Sequence, residues 1–518
     1  MRTTLSTLFT ALLLTTANAA AQSEVAVVWN LPTGSQPPRS VAVSDSGITY
    51  ILLSGGVVQA IDLDGDLLWT HQAPTNSSDL AVHSAGGVSI VGSISESDPL
   101  IPDPLGAVDG FFQTLAADGT PLGAQRIGGA GFDGLTAVAA TGLDLVFSGT
   151  STSANFGAPG TVEGPVFGRI DGSGALVWVT RLPVASPNSA TLEDIAVRPD
   201  GSGHAVGSFF INGSFSTQRL IVHFDAAGAL QESIGQTGVW VDADHLPTGD
   251  LVVSGNSYGG TGFLGFGCKI TGSQWCITMR EGIGGLQSAV HTGVVFGGDV
   301  IFGATQAGFP GSTPERTGLV RVDAVTGAAS PFLDIRLDMA ALAIAGDAEI
   351  DPRGGIRTTY RNVDFTEVGV LRIAPLDPFE AQVCAGQANS TGSPAVLGAA
   401  GSPQLAADEL TLFVNGAPPQ QTTLFLASRT GGFTPGAGGS QGNLCLGGSI
   451  GRFSGPGEIR VSSAQGRAAL HVNLAQLPEG GASSAAMAGE TWNFQAWYRD
   501  VNPGPTSNFS SAVAVTFQ

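Results

Sequence analysis

The stretch Ala60-Ile-Asp-Leu-Asp-Gly-Asp-Leu-Leu-Trp69 returns in altered form about every fifty residues. Its clearest copy is Arg169-Ile-Asp-Gly-Ser-Gly-Ala-Leu-Val-Trp178, and looser copies begin at His223 and Arg321. The residues between the copies follow strand patterns, either alternating or continuously apolar. A repeat of this length made only of strands predicts an all-β chain in which small sheets are arranged around an axis, a β-propeller.

Each repeat has two landmarks from which the number of sheets can be counted. One is an apolar strand that ends in glycine, as in Ile90-Val-Gly92; the other is a hairpin turn at Gly65, Gly119, Gly174 and Gly228. Glycine suits these turns because they demand a positive φ. Counting repeat starts predicts seven blades, with six or eight as alternatives; the starts lie near Arg39, Asp79, Asp133, Glu193, Val241, Leu286 and Ala340.

The last repeat has no fourth strand of its own. After Val368-Gly-Val-Leu-Arg-Ile373 the composition changes, whereas the chain begins with an additional strand, Glu24-Val-Ala-Val-Val-Trp-Asn-Leu-Pro32. That strand matches the fourth strands at residues 67–74 and 176–183. We therefore expect the N-terminal strand to complete the last blade, which removes an exposed sheet edge.

Two motifs resemble known repeat families. Gly106-Ala-Val-Asp-Gly-Phe-Phe-Gln-Thr-Leu115, followed by Arg126-Ile-Gly-Gly-Ala-Gly-Phe-Asp133, resembles the SBBP-type bacterial propeller repeat. The stretch at residues 60–69 is similar to the repeat of PQQ-like, quinoprotein-type propellers. The resemblance implies the fold over most of residues 24–380, but the motifs specify hairpins and packing, so it implies no activity.

The repeat disappears near Glu380, and short strands separated by turn residues follow. They include residues 410–414, 422–427, 468–473 and 512–517, a pattern typical of a β-sandwich. The ending that runs from Trp492 to Phe517 resembles a C-terminal module of exported bacterial proteins, for which no activity is implied. The predicted organisation is a signal peptide at residues 1–21, a propeller at 22–380 and a sandwich at 381–518.

Composition and the N-terminus predict an exported protein. Arg2, the apolar run from Leu8 to Leu14 and the small residues around Ala19 form a signal-peptide pattern. No later segment has the roughly 20 apolar residues of a membrane helix. The 42 acidic and 21 basic residues give a net charge of −21, which argues against nucleic acid as a partner. The predicted localisation is therefore secreted or at the cell surface.

Four cysteines in an exported chain indicate disulfides. A hairpin that turns at Gly272 would place Cys268 opposite Cys276, close enough to bond. Cys384 and Cys445 then remain as a pair in the second domain. Four reduced, buried thiols are the alternative.

Motifs of known chemistries are absent from the sequence. It has no Gly-x-Ser-x-Gly nucleophile elbow in a strand-to-helix context, no His-Glu-x-x-His and no phosphate-binding loop, and the seven histidines show no metal-ligand spacing. Adjacent cysteines that could cover a bound quinone are missing as well. The local group most similar to a lyase or glycosidase site is Tyr360, Arg361 and Asp364.

Two groups of carboxylates are candidate ligand sites. Asp62, Asp64 and Asp66 alternate in one turn, as oxygen ligands of Ca²⁺ do, but the distal Glu of a complete calcium loop is missing, and a solvated hairpin is the alternative. Asp79, Asp133, Asp194 and Asp242 open the inner strands of four blades. If they meet at the central channel, they could attract a cation or a basic ligand. The alternative is that each satisfies nearby backbone N–H groups.

Trp497 is the third candidate. Strand alternation places Trp492, Phe494, Ala496 and Tyr498 on one face, which we expect to be core, and puts Trp497 on the other face among polar side chains. A Trp in such a setting can be a stacking platform for a sugar ring. The alternative is that it packs beneath a loop or beneath Arg499.

These patterns favour a non-catalytic binding protein on a propeller scaffold, with an unknown protein or carbohydrate ligand and no cofactor apart from the Ca²⁺ considered above. The insertion at residues 96–104 and the loop at 306–314 would shape its binding face. The alternatives are a polysaccharide-cleaving or quinone-dependent propeller enzyme and a structural component of an envelope or matrix.

Overall fold

A computed structural model describes most of the chain. The described residues are 27–33, 36–63, 65–96, 98–156, 164–182, 189–210, 217–259, 262–271, 274–278, 287–296, 299–307, 316–327, 329, 333–334, 336–337, 340–351, 355–362, 368–373, 380–406, 408, 410–463, 466–501 and 503–518. The expected signal peptide and the candidate residues Asp64 and Asp364 lie outside them.

The described residues before position 374 form six four-stranded sheets and one five-stranded sheet. The N-terminal strand is β1 (Val27–Pro32). Sheets 1 to 3 comprise β2 (Pro38–Val43), β3 (Thr49–Leu53), β4 (Val57–Ile61) and β5 (Leu67–Gln72); β6 (Ser77–Val82), β7 (Val88–Ser95), β8 (Val108–Leu115) and β9 (Pro121–Ile127); and β10 (Asp133–Thr141), β11 (Asp144–Ser151), β12 (Gly164–Ile170) and β13 (Leu176–Arg181).

Sheets 4 to 6 repeat this plan. They comprise β14 (Ser189–Val197), β15 (Gly203–Phe210), β16 (Thr217–Phe224) and β17 (Leu230–Thr237); β18 (Val239–His245), β19 (Leu251–Gly259), β20 (Gly262–Lys269) and β21 (Trp275–Thr278); and β22 (Gln287–Phe296), β23 (Asp299–Ala307), β24 (Arg316–Asp323) and β25 (Leu333–Asp334). Sheet 7 comprises β26 (Arg336–Leu337), β27 (Ala340–Ile350), β28 (Ile356–Asn362), β29 (Val368–Ile373) and β1.

Sheets 1 to 6 are antiparallel meanders in which consecutive strands pair, as the alternating pattern predicts. The four hairpin glycines have the expected positive φ: 90° at Gly65, 84° at Gly119, 88° at Gly174 and 80° at Gly228. At such angles a side chain would be strained, which explains why glycine recurs there. The repeat in the sequence is therefore a repeat of sheets.

The first long strand of each sheet lies next to that of the following sheet in chain order; these seven strands, here called the first strands, are β2, β6, β10, β14, β18, β22 and β27. β2 contacts β6, β6 contacts β10, and the succession continues through β14, β18 and β22 to β27, which contacts β2. Apolar clusters between neighbouring sheets hold this arrangement, for example Leu135, Phe147 and Val166 of sheet 3 with Val91 and Phe112 of sheet 2. The chain is all-β, and its arrangement is propeller-like.

The N-terminal strand pairs with the strand that the sequence analysis expected. β1 runs antiparallel to β29, with Val27 opposite Ile373 and Pro32 opposite Gly369. Beyond the strand, Thr33 N donates a hydrogen bond of 2.9 Å to Val368 O. Strands from the two ends of this region therefore share one sheet.

The C-terminal residues form further β-sheets. Their strands are β30 (Glu380–Cys384), β31 (Val396–Gly401), β32 (Leu410–Asn415), β33 (Thr422–Ser428), β34 (Thr430–Pro435), β35 (Asn443–Gly447), β36 (Gly451–Arg452), β37 (Arg460–Val461), β38 (Ala468–Val472), β39 (Leu477–Glu479), β40 (Ala482–Ser484), β41 (Thr491–Val501) and β42 (Pro505–Thr516), with a 3₁₀ turn at Ala437–Gly439. The main sheet has the order β30-β42-β41-β33-β36, with β37 also paired to β33, and a second has the order β31-β32-β38.

These two sheets contribute to one apolar core. Trp492, Phe494, Ala496 and Tyr498 of β41 are all fully buried in it, on the face that strand alternation predicts. The second sheet adds Leu397, Leu412 and Leu470. Burial of this apolar surface is the main stabilising contribution to this part of the chain.

The C-terminal part packs against sheets 1 and 7. Ala400, Phe413 and Ala469 belong to the same buried cluster as Ile51 and Val370. At the edge of this contact, Arg460 forms an ion pair of 3.1 Å with Asp66 in the first hairpin. The two parts of the chain are therefore joined by an apolar contact with a charged rim.

All four cysteines are paired, as predicted from the sequence. Cys268 and Cys276 lie opposite each other on β20 and β21, with a Cα–Cα distance of 4.2 Å. Cys384 and Cys445 are 6.4 Å apart between Cα atoms and link β30 to β35. Within the described ranges, no helix is long and apolar enough to cross a membrane.

Candidate functional site

The first strands of the seven sheets enclose a cavity of about 490 Å³, here called the central cavity. Its position follows from the succession of neighbouring first strands. The lining comprises residues 39–43, 78–82, 136, 138–140, 193–197, 241–244, 293 and 348–349, so every sheet contributes. This is the channel that the sequence analysis expected carboxylates to line.

Three of the four proposed aspartates lie in the wall of the central cavity. Asp79, Asp194 and Asp242 stand at the same place in their sheets, directly after a register shift in the first strand. β-Bulges of this kind redirect the side chains that follow them. The equivalent positions bring the three carboxylates into the wall of the same cavity.

Each of these carboxylates also binds the backbone of the next sheet. Asp79 Oδ2 accepts the N–H of Val138 at 2.8 Å, and Asp194 Oδ2 accepts the N–H of Ala243 at 2.8 Å. Asp242 Oδ2 accepts the N–H of Gly293 in the same way. These three carboxylates therefore line the cavity and also accept backbone N–H groups.

Three further carboxylates line the same cavity: Glu193, which precedes Asp194 on β14, and Asp244 and Glu349, which the sequence analysis missed. Asp244 and Glu349 are each the next-to-last residue of a first strand, on β18 and β27. Asp244 follows Asp242 by two positions and therefore projects from the same face of its strand. For Asp244 the signal was its alternation with Asp242 in the sequence.

The carboxylates disfavour one another's ionised form. Burial, together with the charge of Asp194, raises the pKa of Asp79 to about 6, although hydrogen bonds from Ser40, Val138 and Leu80 oppose the shift. Burial also raises the pKa of Asp194, which shares a hydrogen bond with Asp242. Burial and four neighbouring carboxylates raise the pKa of Glu349 to about 8; the neighbours are Asp244, Asp242, Asp194 and Asp79.

The carboxylates of the central cavity could bind a cation. At neutral pH a desolvated cluster of acids holds protons that an entering cation would displace. Arg39 is the cationic side chain in the lining, and its Nη1 donates to Ser77 O at 3.1 Å. Among the residues that the structure describes, no group of three acidic, His or Cys side chains is placed to hold a metal ion. The excess of carboxylates in the lining favours a positively charged group over an anion.

Asp133 does not join the central cavity, which corrects the expectation for this residue. Its Oδ2 accepts the N–H of Gly129 at 2.7 Å and the hydroxyl of Ser153 at 2.6 Å. In sheet 3 the position after the register shift is Ala137, four residues later. The count of blade starts aligned the wrong residue of β10.

The acidic turn after β4 contains its own partners. Asp62 Oδ1 accepts the N–H of Asp66 at 2.9 Å, which is a local turn contact, and the Asp66 carboxylate faces Arg460. Asp64 is outside the described residues. The contacts of Asp62 and Asp66 match those of a hairpin turn docked to the C-terminal part.

Trp497 is half-buried rather than presented as an open platform. It packs at the edge of a small cluster with Leu426, Leu446 and Phe509. The guanidinium of Arg499 lies 5.4 Å from the centre of its ring. The hairpin formed by β34 and β35 covers this face of β41, and Gln495 there is fully buried. This is the packing alternative considered for Trp497 in the sequence.

Three histidines that are scattered in the sequence meet between sheets 4 and 5. His204 Nδ1 and His245 Nε2 are 3.0 Å apart, and His204 stacks on His223 with ring centres 4.7 Å apart. Burial and the neighbouring charges of His245, His223 and Arg198 lower the pKa of His204 to about 3. Burial, Arg198 and His223 lower the pKa of His245 to about 4, and Asp200 opposes this shift.

Of the three side chains in the group at residues 360–364, the structure describes that of Tyr360. Tyr360 is fully buried on β28, opposite Ile344 and Gly369. Asp364 is outside the described residues. The side chain of Tyr360 is therefore core.

Comparison with known proteins identified structures but no family. No family model matches the chain, and no curated protein matches it. The chain is similar to the Dos1 propeller, with a TM-score of 0.39 and 9% identity, covering 67% of this chain and 95% of that one. It is also similar to the C-terminal WD40 domain of Sif2, with a TM-score of 0.37 and 11% identity over 68% and 99% of the two chains.

A third similar structure is the WD40 β-propeller domain of Doa1, with a TM-score of 0.33, 11% identity, and coverage of 67% of this chain and 96% of that one. These neighbours are propellers by name. The description of the chain as propeller-like depends on its own sheet order and central cavity. The likeness to SBBP-type and PQQ-like repeats stays a resemblance of the quoted motifs.

Proposed function

We propose that this chain is a secreted or surface-exposed, non-catalytic binding protein whose central cavity takes a basic group of its ligand. Residues 22–380 would form a seven-bladed propeller, with β1 completing the last blade, and residues 381–518 a β-sandwich module. The observation that carries the proposal is the meeting of six carboxylates from sheets 2, 4, 5 and 7 at one cavity.

The seven-blade count is supported by the order of the first strands. Each contacts the next, β27 contacts β2, and all seven sheets line the same cavity. A set of small sheets related in this way presents a rigid, loop-lined face, which is a common basis for ligand recognition. The sandwich is supported by the core that the two C-terminal sheets share.

A basic organic ligand is supported by charge and size. The central cavity has six carboxylates against one arginine, and the whole chain carries a net charge of −21. Its volume of about 490 Å³ lies in the range of roughly 300–1,000 Å³ found for small-molecule sites. An ammonium or guanidinium group would offset the mutual repulsion of the carboxylates.

Export is supported by both disulfides. Paired cysteines persist in oxidising compartments, so Cys268–Cys276 and Cys384–Cys445 fit an extracellular protein. The signal-peptide pattern at residues 1–21 agrees with this localisation.

The proposal is tested by calorimetric titration of the purified chain with arginine methyl ester and with putrescine. We expect binding that weakens with added salt and releases protons, measured by repeating the titration in two buffers of different ionisation enthalpy. Asp194→Asn and Glu349→Gln should each weaken binding by about tenfold, which corresponds to about 1.4 kcal/mol.

Asp66→Asn is the matched control, because it removes a carboxylate outside the cavity and should leave the affinity unchanged. Failure of both probes to bind, or equal weakening by all three variants, would contradict the proposed site. Conversion of either probe to a product would contradict a non-catalytic role.

A further inference from the structure

A second cavity, of about 520 Å³, lies between sheets 2 and 3 and is distinct from the central cavity. It is lined by the end of β8, by β9, and by the hairpin turn that connects β12 to β13. We call it the interblade slot. Residues elsewhere in the repeat show what kind of group occupies this place.

In two other sheets a tryptophan fills the equivalent place. Trp69 on β5 donates its indole N–H to Ala117 O of the next sheet at 2.8 Å. Trp178 on β13 donates to Ala226 O of the next sheet at 3.1 Å. Each indole also lies against the positive-φ glycine of that turn, Gly119 or Gly228, where a Cβ atom would overlap the ring.

Sheet 2 has glycine at this position. The strand register places Gly123 opposite Thr114, as Trp69 lies opposite Ala60 and Trp178 opposite Arg169. A Cβ atom built on Gly123 meets nothing within 4 Å, so the space beside it is open. The missing tryptophan accounts for the interblade slot.

In sheet 3, the turn that corresponds to the acceptors of the Trp69 and Trp178 indoles lies between β12 and β13. It is formed as in the other two sheets. Gly174 closes it with an N–H bond of 2.8 Å to Asp171 O, and the carbonyl equivalent to Ala117 O and Ala226 O is that of Gly172. Phe112 lies against Gly174, with its Cζ 3.2 Å from the point where a Cβ atom would stand, and so covers part of the surface that the indole covers in the other two turns. The turn therefore keeps the carbonyl acceptor, and Phe112 forms one wall of the slot.

One wall of the slot contains a buried histidine with an unsatisfied atom. His83 is 8% exposed, its Nε2 is 2.7 Å from Ser89 Oγ, and Ser89 Oγ is 2.7 Å from Thr114 Oγ1. Among the atoms that the structure describes, His83 Nδ1 has no hydrogen-bond partner. A buried polar atom without a partner is costly, so it favours a ligand that supplies one.

We infer that the interblade slot binds a small aromatic molecule of the indole class, with its ring N–H donated to Gly172 O. The occupant is defined by the internal examples: Trp69 and Trp178 show that an indole fits between adjacent sheets and that the turn carbonyl accepts its N–H. Phe112, Leu122, Leu143 and Leu145 surround the ring, and His83 and Thr114 offer hydrogen bonds to a polar substituent.

Calorimetric titration of the full chain with indole tests the inference, and one site per chain is expected. N-methylindole cannot donate a hydrogen bond and should bind roughly three- to tenfold more weakly. Gly123→Trp should abolish binding by supplying the missing ring, whereas Gly123→Ala should retain it. Gly123→Phe is a second filling variant, for use if the tryptophan variant does not fold.

No binding of indole, or unchanged binding by both filling variants, would overturn the inference. Equal affinity for indole and N-methylindole would overturn the role of Gly172 O. Binding of N-acetyltryptophanamide without binding of indole would show that the slot takes a tryptophan side chain of a partner instead of a small molecule.

Discussion

Asp194 on the first strand of sheet 4 accepts the backbone N–H of Ala243 on the first strand of sheet 5, at 2.8 Å. One side chain thereby lines the central cavity and ties two neighbouring sheets together. Asp79 and Asp242 make the same connection between other sheets. The site and the arrangement of sheets are consequently coupled, and changes at one affect the other.

The hydrogen bond that Asp194 accepts and the charge of its carboxylate contribute separately to stability, and two substitutions distinguish them. Asp194→Ala removes the acceptor of the Ala243 N–H and should lower the free energy of unfolding by about 1–3 kcal/mol. Asp194→Asn keeps an acceptor oxygen and removes a carboxyl group whose pKa is raised by burial, so it should cost less than the alanine variant at neutral pH. Urea unfolding of the two variants measures the difference. A larger loss for Asp194→Asn would contradict this account.

Stability should fall as pH rises through the range in which Glu349 titrates. Its pKa in the folded chain is about 8, against an ordinary value of 4.5. Below 4.5 the group is protonated in both states, and above it the unfolded chain ionises first, so its contribution to stability is lost progressively up to about pH 8. Melting temperatures between pH 4 and pH 9 measure this, and Glu349→Gln should flatten the decline. An unchanged slope in that variant would place the cause elsewhere.

The histidines between sheets 4 and 5 should make the chain sensitive to acid. The folded-state pKa is about 3 for His204 and about 4 for His245, both below the ordinary value of 6.5. Their contribution is present above pH 6.5 and is lost as pH falls through 4 and then 3, because the unfolded chain takes up protons first. Arg198 and His223 add to this effect, and Asp200 opposes it.

His245→Gln should therefore reduce the loss of stability between pH 6.5 and pH 4, measured by urea unfolding at several pH values. His471→Gln, in the C-terminal part of the chain, is the matched control. The same acid profile in both variants would exclude the cluster as the cause.

The two disulfides should differ in their contribution to stability. Cys384 and Cys445 are 61 residues apart in sequence, and chain-entropy arguments give about 4 kcal/mol for a loop of that length. Cys268 and Cys276 are 8 apart, for which the same relation gives about 2.6 kcal/mol. Urea midpoints of the two Cys→Ser double variants test this order. A greater loss from the shorter loop would show that native-state contacts outweigh loop entropy.

The contact between the C-terminal part and sheet 1 should depend on Phe413. This side chain is buried among Val41, Ile51 and Leu53, so Phe413→Ala should cost about 3–5 kcal/mol. Limited proteolysis should then cut the variant faster than the parent between the two parts. Phe433 is 64% exposed, and Phe433→Ala should change stability by less than about 0.5 kcal/mol. Equal effects of the two variants would contradict the packing described.

Local patterns in the sequence predicted the features that depend on local rules. The hairpin glycines, the core face of β41 and both disulfides follow from turn geometry, alternation and the pairing of opposite strand positions. The pairing of β1 with β29 followed from an additional strand at one end and a missing strand at the other.

Features that depend on register across sheets were not predicted. Asp133 was counted as equivalent to Asp79 because the β-bulge that separates them in register is invisible in composition. Glu349 and His245 act with residues more than forty positions away, and only the neighbouring arrangement of sheets brings them together. The absence of a tryptophan at Gly123 could have been predicted, because two other repeats have Trp at the equivalent positions, 69 and 178.

The pairing of β1 with β29 also affects the order in which the chain can assemble. Val27 and Ile373 are partners, so the strand synthesised first must wait until nearly all the other sheets have emerged before it finds its own. Pairings this remote in sequence are slow to form, and until then β29 exposes an unsatisfied edge to other chains. β1, which is made before the strands of the seven sheets, is thus fixed after them, and this interval is when a newly made molecule is most prone to exchange strands with another copy.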